Sequence, residues 1–248
     1  MPKIIEKGQI ASAAGDIHWL LATAVADLVD ETVAANVLSP AESEYWQKQK
    51  TSKRRHDWLL GRWAAKHLLQ EQLHKSTGRI IRLDEIEIAR HDDGWPQLRL
   101  PAEVGVSADF TLSISHSHDA AFCAISARSH SLLGVDIEYV ETRSAGFVAD
   151  YFTRTEQAFL AAAPSGLEGV LPNAIWSGKE AALKAIRRGL AEDTRIVTCL
   201  PHPPIRDEIN WLLMRVDWEQ AGSKPILTGW WRQSGDFVMT VAAGLAIA

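Results

Sequence analysis

Two short segments of the chain combine acidic and basic side chains in spacings that suit metal and phosphate binding. In the segment GVDIEYV, one apolar residue separates Asp136 from Glu138. A β-strand would place both carboxylates on one face, because side chains alternate along a strand. In the segment WSGKEAALK, Glu180 and Lys184 are four residues apart and would share one face of a helix. Carboxylate oxygens are the ligands that Mg2+ prefers, and the ion usually shares its coordination with substrate phosphates.

Each segment also has a purely structural interpretation. A Glu–Lys pair at this spacing is common on solvated helices and stabilises them by only about 0.3 kcal/mol. Acidic residues on an edge strand protect it against aggregation. The residues that flank Asp136 and Glu138 in LLGVDIEYV are apolar, however, so the predicted strand is buried on at least one face, where unpaired carboxylates are costly. A bound cation would offset that cost, and the two segments together therefore indicate a metal site.

Capping and periodicity signals predict the elements of the first half of the chain. Ser39, followed by proline, is a suitable N-cap, and Glu42 occupies the capping-box position. A longer amphipathic helix is predicted over residues 51–74, and Arg55 and Arg62 share one of its faces. The segment IIRLDEIEIARH alternates like a strand, and HDDGWPQL predicts a turn before another short strand.

The elements that follow carry the candidate site. The segment TLSISHSHDAAFCAISA predicts two strands joined at the SHSHD turn, which places Ser115 and His116 at a strand end. A further strand, LLGVDIEYV, precedes a helix predicted over residues 151–163, with Thr153 or Thr155 near its start. The helix that carries WSGKEAALK is predicted over residues 173–188, with Gly189 as its C-cap. Each half of the chain thus runs strand, long helix and strands, although the letters of the halves share too little to establish a duplication.

The composition limits the classes of function. With 248 residues and 46% hydrophobic content, the chain can bury a sizeable core. We expect a cytoplasmic protein without a membrane anchor, because the sequence has neither a signal peptide nor a long uncharged apolar run. The net charge of −5 disfavours nucleic-acid binding, which requires a basic surface. Cys123 and Cys199 lack the spacing of a zinc site, so we expect inert thiols.

Six ordered segments resemble a known family, the 4'-phosphopantetheinyl transferases of the Sfp type, across residues 38–192. The segments are GRWAAKHLL, GWPQL, SISHSHDAAFCAIS, GVDIEYV, YFTRTEQAFL and IWSGKEAALKAIRRGL. The resemblance implies a monomeric α+β protein with two pseudo-symmetric halves, 1–130 for nucleotide contacts and 131–248 for the metal-binding acids. Each half would pack a small, mostly antiparallel sheet with a long helix. The implied reaction transfers the phosphopantetheine arm of coenzyme A to a serine of an apo acyl, peptidyl or aryl carrier protein and releases 3',5'-ADP.

The resemblance also implies roles for the residues of the two acidic segments. Asp136, Glu138 and Glu180 match the acids that bind a divalent cation, Mg2+ or alternatively Mn2+, at the pyrophosphate of coenzyme A. Lys184 matches the lysine near the phosphates. Glu180 also matches the residue proposed to activate the acceptor serine, either directly or through water.

Further matches concern the coenzyme A phosphates. Ser115 and His116 match the Ser–His pair that contacts these phosphates, and Arg55 and Arg62 resemble basic residues that meet the 3'-phosphate. Glu156 matches a family glutamate that lies behind the metal ligands.

The chain departs from the family pattern at the nucleotide end. Trp95 stands where some members have the lysine of a G-K-P segment, and Glu42 and Tyr45 stand where some have lysines. Arg54 or Arg55 is the candidate for compensating these losses of positive charge.

Two other functions compete with arm transfer. A metal-dependent nuclease commonly needs an acid and a lysine two apart on one strand, but the residue two beyond Glu138 is Val140. A catalytically silent carrier-binding module would lack a motif acid or lysine, and none is missing here. For the carrier protein itself, Arg187 and Arg188 are candidate contacts, because a basic surface would steer an acidic helix beside the acceptor serine.

Overall fold

The computed structural model describes residues 2–24, 31–101, 110–127, 131–188, 192–203, 210–219 and 225–246. The chain divides into two compact units, Met1–Ser129 and His130–Ala248. The predicted C-cap at Gly189 lies outside the described residues. Cys123 and Cys199 are buried and free, and burial raises the pKa of both thiols.

The first unit combines an antiparallel sheet with one long helix. Its elements are β1 Pro2–Ile10, β2 Ile17–Ala24, α1 Glu31–Val37, α2 Pro40–Gln47, α3 Ser52–Thr77, β3 Glu87–Arg90, β4 Pro96–Arg99, β5 Thr111–Ser117 and β6 Ala120–Ser126. Four of the strands form one sheet in the order β1-β2-β6-β5, and β3 pairs with β4. The buried face of α3 packs on β2, β5 and β6, so the core of this unit lies between the helix and the sheet.

The local signals of the first unit confirm most of the predicted boundaries. Ser39 caps α2, and its side chain and that of Glu42 form the predicted capping box. The helix α3 begins after the N-cap Thr51 and ends at Gly78, whose φ of 70° is a left-handed conformation that favours glycine. The prediction of a strand for all of IIRLDEIEIARH was wrong. Residues Leu83–Glu85 form a 3-10 turn, in which the Glu85 carboxylate accepts from the backbone N–H of the N-cap residue Arg82. Within this segment the strand is limited to β3, Glu87–Arg90.

The second unit likewise combines an antiparallel sheet with a long helix. They are β7 Ser131–Tyr139, α4 Ala145–Tyr151, α5 Arg154–Ala161, α6 Leu171–Ala185, β8 Val197–Pro201, β9 Leu212–Trp218, β10 Leu227–Ser234 and β11 Phe237–Leu245. Five strands form one sheet in the order β7-β11-β10-β9-β8, and every neighbouring pair is antiparallel. The helix α6 packs on β7, β11 and β8. The predicted α+β class with mostly antiparallel sheets is thus confirmed.

Two helix predictions in the second unit need correction. The helix predicted over residues 151–163 is α5, which begins after the N-cap Thr153 and ends at Ala161, whereas Tyr151 is the last residue of α4, a helix that was not predicted. The motif helix α6 begins at Leu171, earlier than predicted, since Pro172 fits the first helical turn and needs no N–H there. Its last helical residue is Ala185.

A buried lysine–glutamate pair fixes the long helix of the first unit. The Glu42 carboxylate accepts from the backbone N–H groups of Ser39 and Ile88, at 2.9 and 3.3 Å, and from Lys66 Nζ. Lys66 Nζ also donates to the Val37 carbonyl at 2.6 Å. Because no water can solvate Lys66, whose exposed fraction is 0%, these contacts replace its hydration.

The second unit contains a closely similar pair. The Glu156 carboxylate accepts from the N–H groups of Thr153 and Cys199, at 2.8 and 2.7 Å, and from Lys179 Nζ at 2.7 Å. Lys179 Nζ also donates to the Val197 carbonyl at 2.6 Å. In each unit, therefore, a capping-box glutamate of a short helix holds a buried lysine of the long helix.

The two lysines also share a sequence signal. Both stand at the end of a Trp-x-x-Lys segment, Trp63–Lys66 on α3 and Trp176–Lys179 on α6. A four-residue segment is too short to establish a repeat. The two lysines are nevertheless both buried and both bind a capping-box glutamate and a backbone carbonyl, which is a structural similarity between the two units.

We expect the Lys179–Glu156 pair to show strong coupling in stability. Lys179→Met should lower the free energy of unfolding by about 3–5 kcal/mol, because it leaves Glu156 buried without its cation. Urea unfolding of the two single variants and of Glu156→Gln/Lys179→Met measures the effect. The double variant should lose far less than the sum of the single variants. Additive losses would show that the two charges do not depend on each other.

Candidate active site

The strand β7 and the helix α6 bring the predicted acids together within the second unit. Along β7, Asp136 and Glu138 alternate with Ile137, which is 1% exposed, so both carboxylates lie on the same face of the strand. The helix approaches this strand closely at Gly134, where a Cβ atom would lie 1.9 Å from the Ala181 carbonyl oxygen. This close contact carries the side chains of α6 to the acids of β7.

The three acids Asp136, Glu138 and Glu180, hereafter the acidic triad, form a compact group. Each offers one carboxylate oxygen, and these oxygens all lie within 4.8 Å of one another. Lys184 Nζ donates to Asp136 Oδ1 at 2.7 Å and lies 3.5 Å from Glu180 Oε2. The structure thus brings together all four residues that the two acidic segments predicted.

Two further side chains hold Glu138. Trp176 Nε1 donates to its Oε1 at 3.1 Å, and Arg143 Nη2 donates to its Oε2 at 2.8 Å. Trp176 lies in the same segment as Glu180, one helical turn earlier, whereas Arg143 lies outside both acidic segments. The only sequence signal for Arg143 is that it is a charged residue five positions after Glu138.

Burial and mutual repulsion change the acidity of the triad. Burial, followed by the charge of Asp136, raises the pKa of Glu180 to about 8. The same two causes raise the pKa of Glu138 to about 6, although Arg143 opposes them. Burial would lower the pKa of Lys184, but the charges of Asp136 and Glu180 outweigh it and raise that pKa. The site therefore holds more negative charge than it can easily keep ionised, which is the condition that a divalent cation relieves.

The raised pKa values of Glu180 and Glu138 predict how pH affects the metal-free protein. Because both carboxyls bind protons more tightly when folded, their contribution to stability is full below about pH 4.5 and is lost as pH rises to about 8. In EDTA, the melting temperature should therefore fall over this range, and Mg2+ should restore it most at high pH. The Glu180→Gln variant, which cannot titrate there, should show a smaller fall. A slope unchanged by that substitution would contradict the prediction.

A second group of potential metal ligands lies in the first unit. His56, Asp57 and Asp119 each offer one ligand atom within 4.8 Å of the others. Asp57 already accepts from Lys53 Nζ at 2.8 Å, and His56 Nε2 lies 3.3 Å from Asp119 Oδ1. These contacts fit links between α3 and the β5–β6 turn, so this group is a weaker candidate than the acidic triad.

The first unit contains a cavity of about 490 Å3 that two of the predicted nucleotide contacts line. Arg62 and His116 lie in its wall, together with Glu42, Tyr45 and Trp58. Arg62 Nε lies 3.2 Å from Glu42 Oε1, and its guanidinium carbon lies 4.4 Å from the Trp58 ring centroid. Burial lowers the pKa of Arg62. The positive charge of Arg62 is therefore partly neutralised by Glu42.

The other predicted phosphate contacts lie elsewhere. Ser115 is 7% exposed and precedes His116 on β5, so the two side chains lie on opposite faces of the strand. Ser115 and Arg55 are not among the residues that line the cavity. Trp95 stacks on His91 with 4.3 Å between ring centroids.

The remaining site predictions have distinct positions in the second unit. Glu156 lies in the buried pair with Lys179, which directly precedes Glu180 on α6. Arg187 and Arg188 are exposed beyond the end of α6, and Arg188 lies 3.7 Å from Glu192. Among the described residues, no helix has the length and hydropathy needed to cross a membrane.

Comparison with known proteins matches the region of the chain that contains the acidic triad. Residues 132–242 match the family model ACPS, the 4'-phosphopantetheinyl transferase superfamily. The match includes the acidic triad and Lys184, and it spans less than half of the chain. No protein with a curated description matches the chain.

Several solved structures are similar to parts of the chain. A holo-ACP-synthase from Plasmodium yoelii is 24% identical over 39% of this chain and 77% of its own, with a TM-score of 0.32. A Chronobacterium ammoniagenes ACPS–CoA complex is 28% identical over 36% of this chain and 76% of its own, with a TM-score of 0.31. An apo-ACPS structure from the same organism is 22% identical over 48% and 96%, with a TM-score of 0.35. TM-scores this low carry no structural argument, so the family match is the informative comparison.

Proposed function

We propose that the protein is a 4'-phosphopantetheinyl transferase, which moves the phosphopantetheine arm of coenzyme A to a serine of an apo carrier protein. The observation that carries this proposal is the acidic triad with Lys184 at the contact of β7 and α6, inside the region that matches the superfamily model. The Sfp subtype, Mg2+ as the metal, a monomeric state and a cytoplasmic location belong to the same proposal.

The residues of the triad fit a hard divalent cation. They offer three carboxylate oxygens within 4.8 Å of one another, and burial, followed by the charge of Asp136, raises the pKa values of Glu138 and Glu180. Asp136, Glu138 and Glu180 would hold Mg2+, which prefers oxygen ligands and keeps water molecules and phosphate oxygens in its remaining positions. When bound, the ion supplies positive charge to the pyrophosphate of coenzyme A.

The reaction requires a base and a stabilised leaving group. The serine oxygen of the carrier forms a bond to the phosphorus of the phosphopantetheine phosphate, the bond from that phosphorus to the oxygen of 3',5'-ADP breaks, and the serine proton passes to Glu180. Only the ionised form of Glu180 can accept this proton, and a bound divalent cation would favour that form by opposing the burial and the Asp136 charge that raise its pKa in the metal-free protein. Lys184, whose raised pKa keeps it protonated, stabilises negative charge on the departing phosphate.

The remaining assignments concern the residues that contact the nucleotide end of coenzyme A. We propose Arg62 and His116, which line the cavity of the first unit, as phosphate contacts. Arg55 and Ser115 keep the roles implied by the resemblance as predictions. Arg55→Ala and Arg62→Ala should each raise the Michaelis constant for coenzyme A. Unchanged constants would contradict the roles of Arg55 and Arg62 as phosphate contacts.

The direct test of function is mass spectrometry of carrier proteins. The purified protein, coenzyme A and Mg2+ are incubated with a panel of apo acyl, peptidyl and aryl carriers. At least one carrier should gain the mass of one phosphopantetheine arm, and neither EDTA-treated protein nor Asp136→Ala should produce the gain. Carrier binding without any mass gain would instead support a catalytically silent module.

A further inference from the structure

Arg143 lies beside the acidic triad and is held in one orientation. Its Nη2 donates to Glu138 Oε2 at 2.8 Å, its Nε donates to Asn173 Oδ1 at 2.8 Å, and its Nη1 lies 2.8 Å from Glu141 Oε1. The guanidinium carbon lies 5.0 Å from the ring centroid of Phe147. Only 11% of the side chain is exposed. All three guanidinium nitrogens therefore have a partner.

Asn173 in turn fixes Arg143. Asn173 is 0% exposed in the first turns of α6, and its Nδ2 donates to the carbonyls of Glu141 and Gly169, at 2.8 and 2.7 Å. Because both amide protons are used, the Oδ1 atom must face the guanidinium. A continuous chain of hydrogen bonds thus runs from the start of α6 through Arg143 to the acid at the end of β7.

We propose that Arg143 is a positioning residue for metal binding, which holds the Glu138 carboxylate in the orientation needed for coordination. This inference rests on the proposed function, because it presumes that the triad binds a cation. With Arg143 on Oε2 and Trp176 on Oε1, each oxygen of Glu138 has one donor. Each oxygen keeps a second lone pair for a metal ion. Glu138 then loses little side-chain freedom when the ion binds.

The charge of Arg143 acts in the opposite direction to its positioning role. A guanidinium 2.8 Å from a metal ligand repels an incoming cation, so a purely electrostatic role would weaken binding. The triad still attracts cations nevertheless, since its three carboxylates outnumber its two cationic partners among the described residues, Lys184 and Arg143. Loss of a hydrogen bond that orients a ligand typically costs about 10–100-fold in metal affinity. We therefore expect positioning to outweigh repulsion, and the sign of the change separates the two.

The test uses Mn2+ as the probe and needs no catalysis. Binding of Mn2+ to the full chain, without coenzyme A, is measured from the electron paramagnetic resonance signal of the free ion. Arg143→Met should weaken binding by about 10-fold. Arg143→Lys keeps the charge but lacks the fork that reaches Glu138 and Asn173 together, so it should remain clearly weaker than the parent protein. The control is Arg195→Met, which removes an arginine paired with Asp193 on the surface of the same unit and should change nothing.

Each outcome decides the inference. Parent-like or tighter Mn2+ binding by Arg143→Met overturns it, and so does full recovery in Arg143→Lys, because charge alone would then suffice. If Arg143→Met does not fold, as judged by circular dichroism, the Arg143→Lys result decides alone. Absence of Mn2+ binding in the parent protein is a different result, because it refutes the proposed metal site itself.

Discussion

Glu180→Gln should reduce the rate of arm transfer by at least about 1,000-fold at saturating coenzyme A and Mg2+, because it removes a proton acceptor and a metal ligand at once. Glutamine has nearly the same size, and it is neutral, so it avoids the burial cost and the repulsion by Asp136 that raise the pKa of Glu180 to about 8. The fold should therefore survive, with a melting temperature at pH 8 equal to or above that of the parent. The rate is measured as holo-carrier formed per unit time by mass spectrometry.

The matched control for Glu180→Gln is Glu192→Gln. Glu192 is a partly exposed glutamate of the same unit that lies 3.7 Å from Arg188, so its substitution should leave the rate unchanged. A Glu180→Gln protein that transfers the arm at a near-parent rate would remove Glu180 from both proposed roles. A protein that is slow but binds Mn2+ as tightly as the parent would keep the base and reject the ligand.

Gly134→Ala should strongly destabilise the second unit. The added Cβ would lie 1.9 Å from the Ala181 carbonyl oxygen and 2.5 Å from the Ala185 nitrogen, and both atoms belong to the backbone of α6. A backbone cannot rotate away as a side chain can, so the helix must move from β7. Overpacking typically costs about 1–3 kcal/mol, and we expect the upper end of this range because the clash is with backbone atoms. Urea unfolding measures the loss, and weaker Mn2+ binding in the folded fraction reports the separation of Glu180 from the acids of β7.

Gly146→Ala is the appropriate control for Gly134→Ala. A Cβ at Gly146 would find its nearest neighbour, Ser144 Oγ, at 3.9 Å, and the residue lies in the first turn of α4. Alanine favours helix over glycine by up to about 1 kcal/mol, so this variant should be neutral or slightly more stable. Equal stability of the two variants would show that α6 tolerates the clash by shifting, and the close packing would then have no energetic importance.

The local part of the fold and the acidic site could be predicted from the sequence, because both depend on short-range signals. Alternation in GVDIEYV and helical spacing in WSGKEAALK fix which side chains share a face. The capping signals at Ser39 and Thr153 are similarly local. That Asp136 and Glu138 would meet Glu180 was a hypothesis from the chemistry of the two segments and from the resemblance, since spacing alone says nothing about which strand a helix packs against.

The remaining features depend on contacts between residues distant in sequence. Lys66 reaches Glu42 and Lys179 reaches Glu156, yet both lysines have the appearance of ordinary charged helix residues. Arg143 acquires its role through Asn173, 30 positions further along the chain. Periodicity gives no warning of such pairs, because an isolated buried charge is unfavourable and only its partner makes it acceptable.

The two buried lysine–glutamate pairs should resist evolutionary replacement. Substitution of either partner leaves the other charge buried without a partner and costs about 3–5 kcal/mol, a large part of the stability of an ordinary domain. A lineage can leave this state only by changing both residues together, whereas the surrounding letters drift one at a time. Each unit therefore keeps in its interior a Lys–Glu pair like that of the other unit, which single substitutions cannot remove without a large loss of stability.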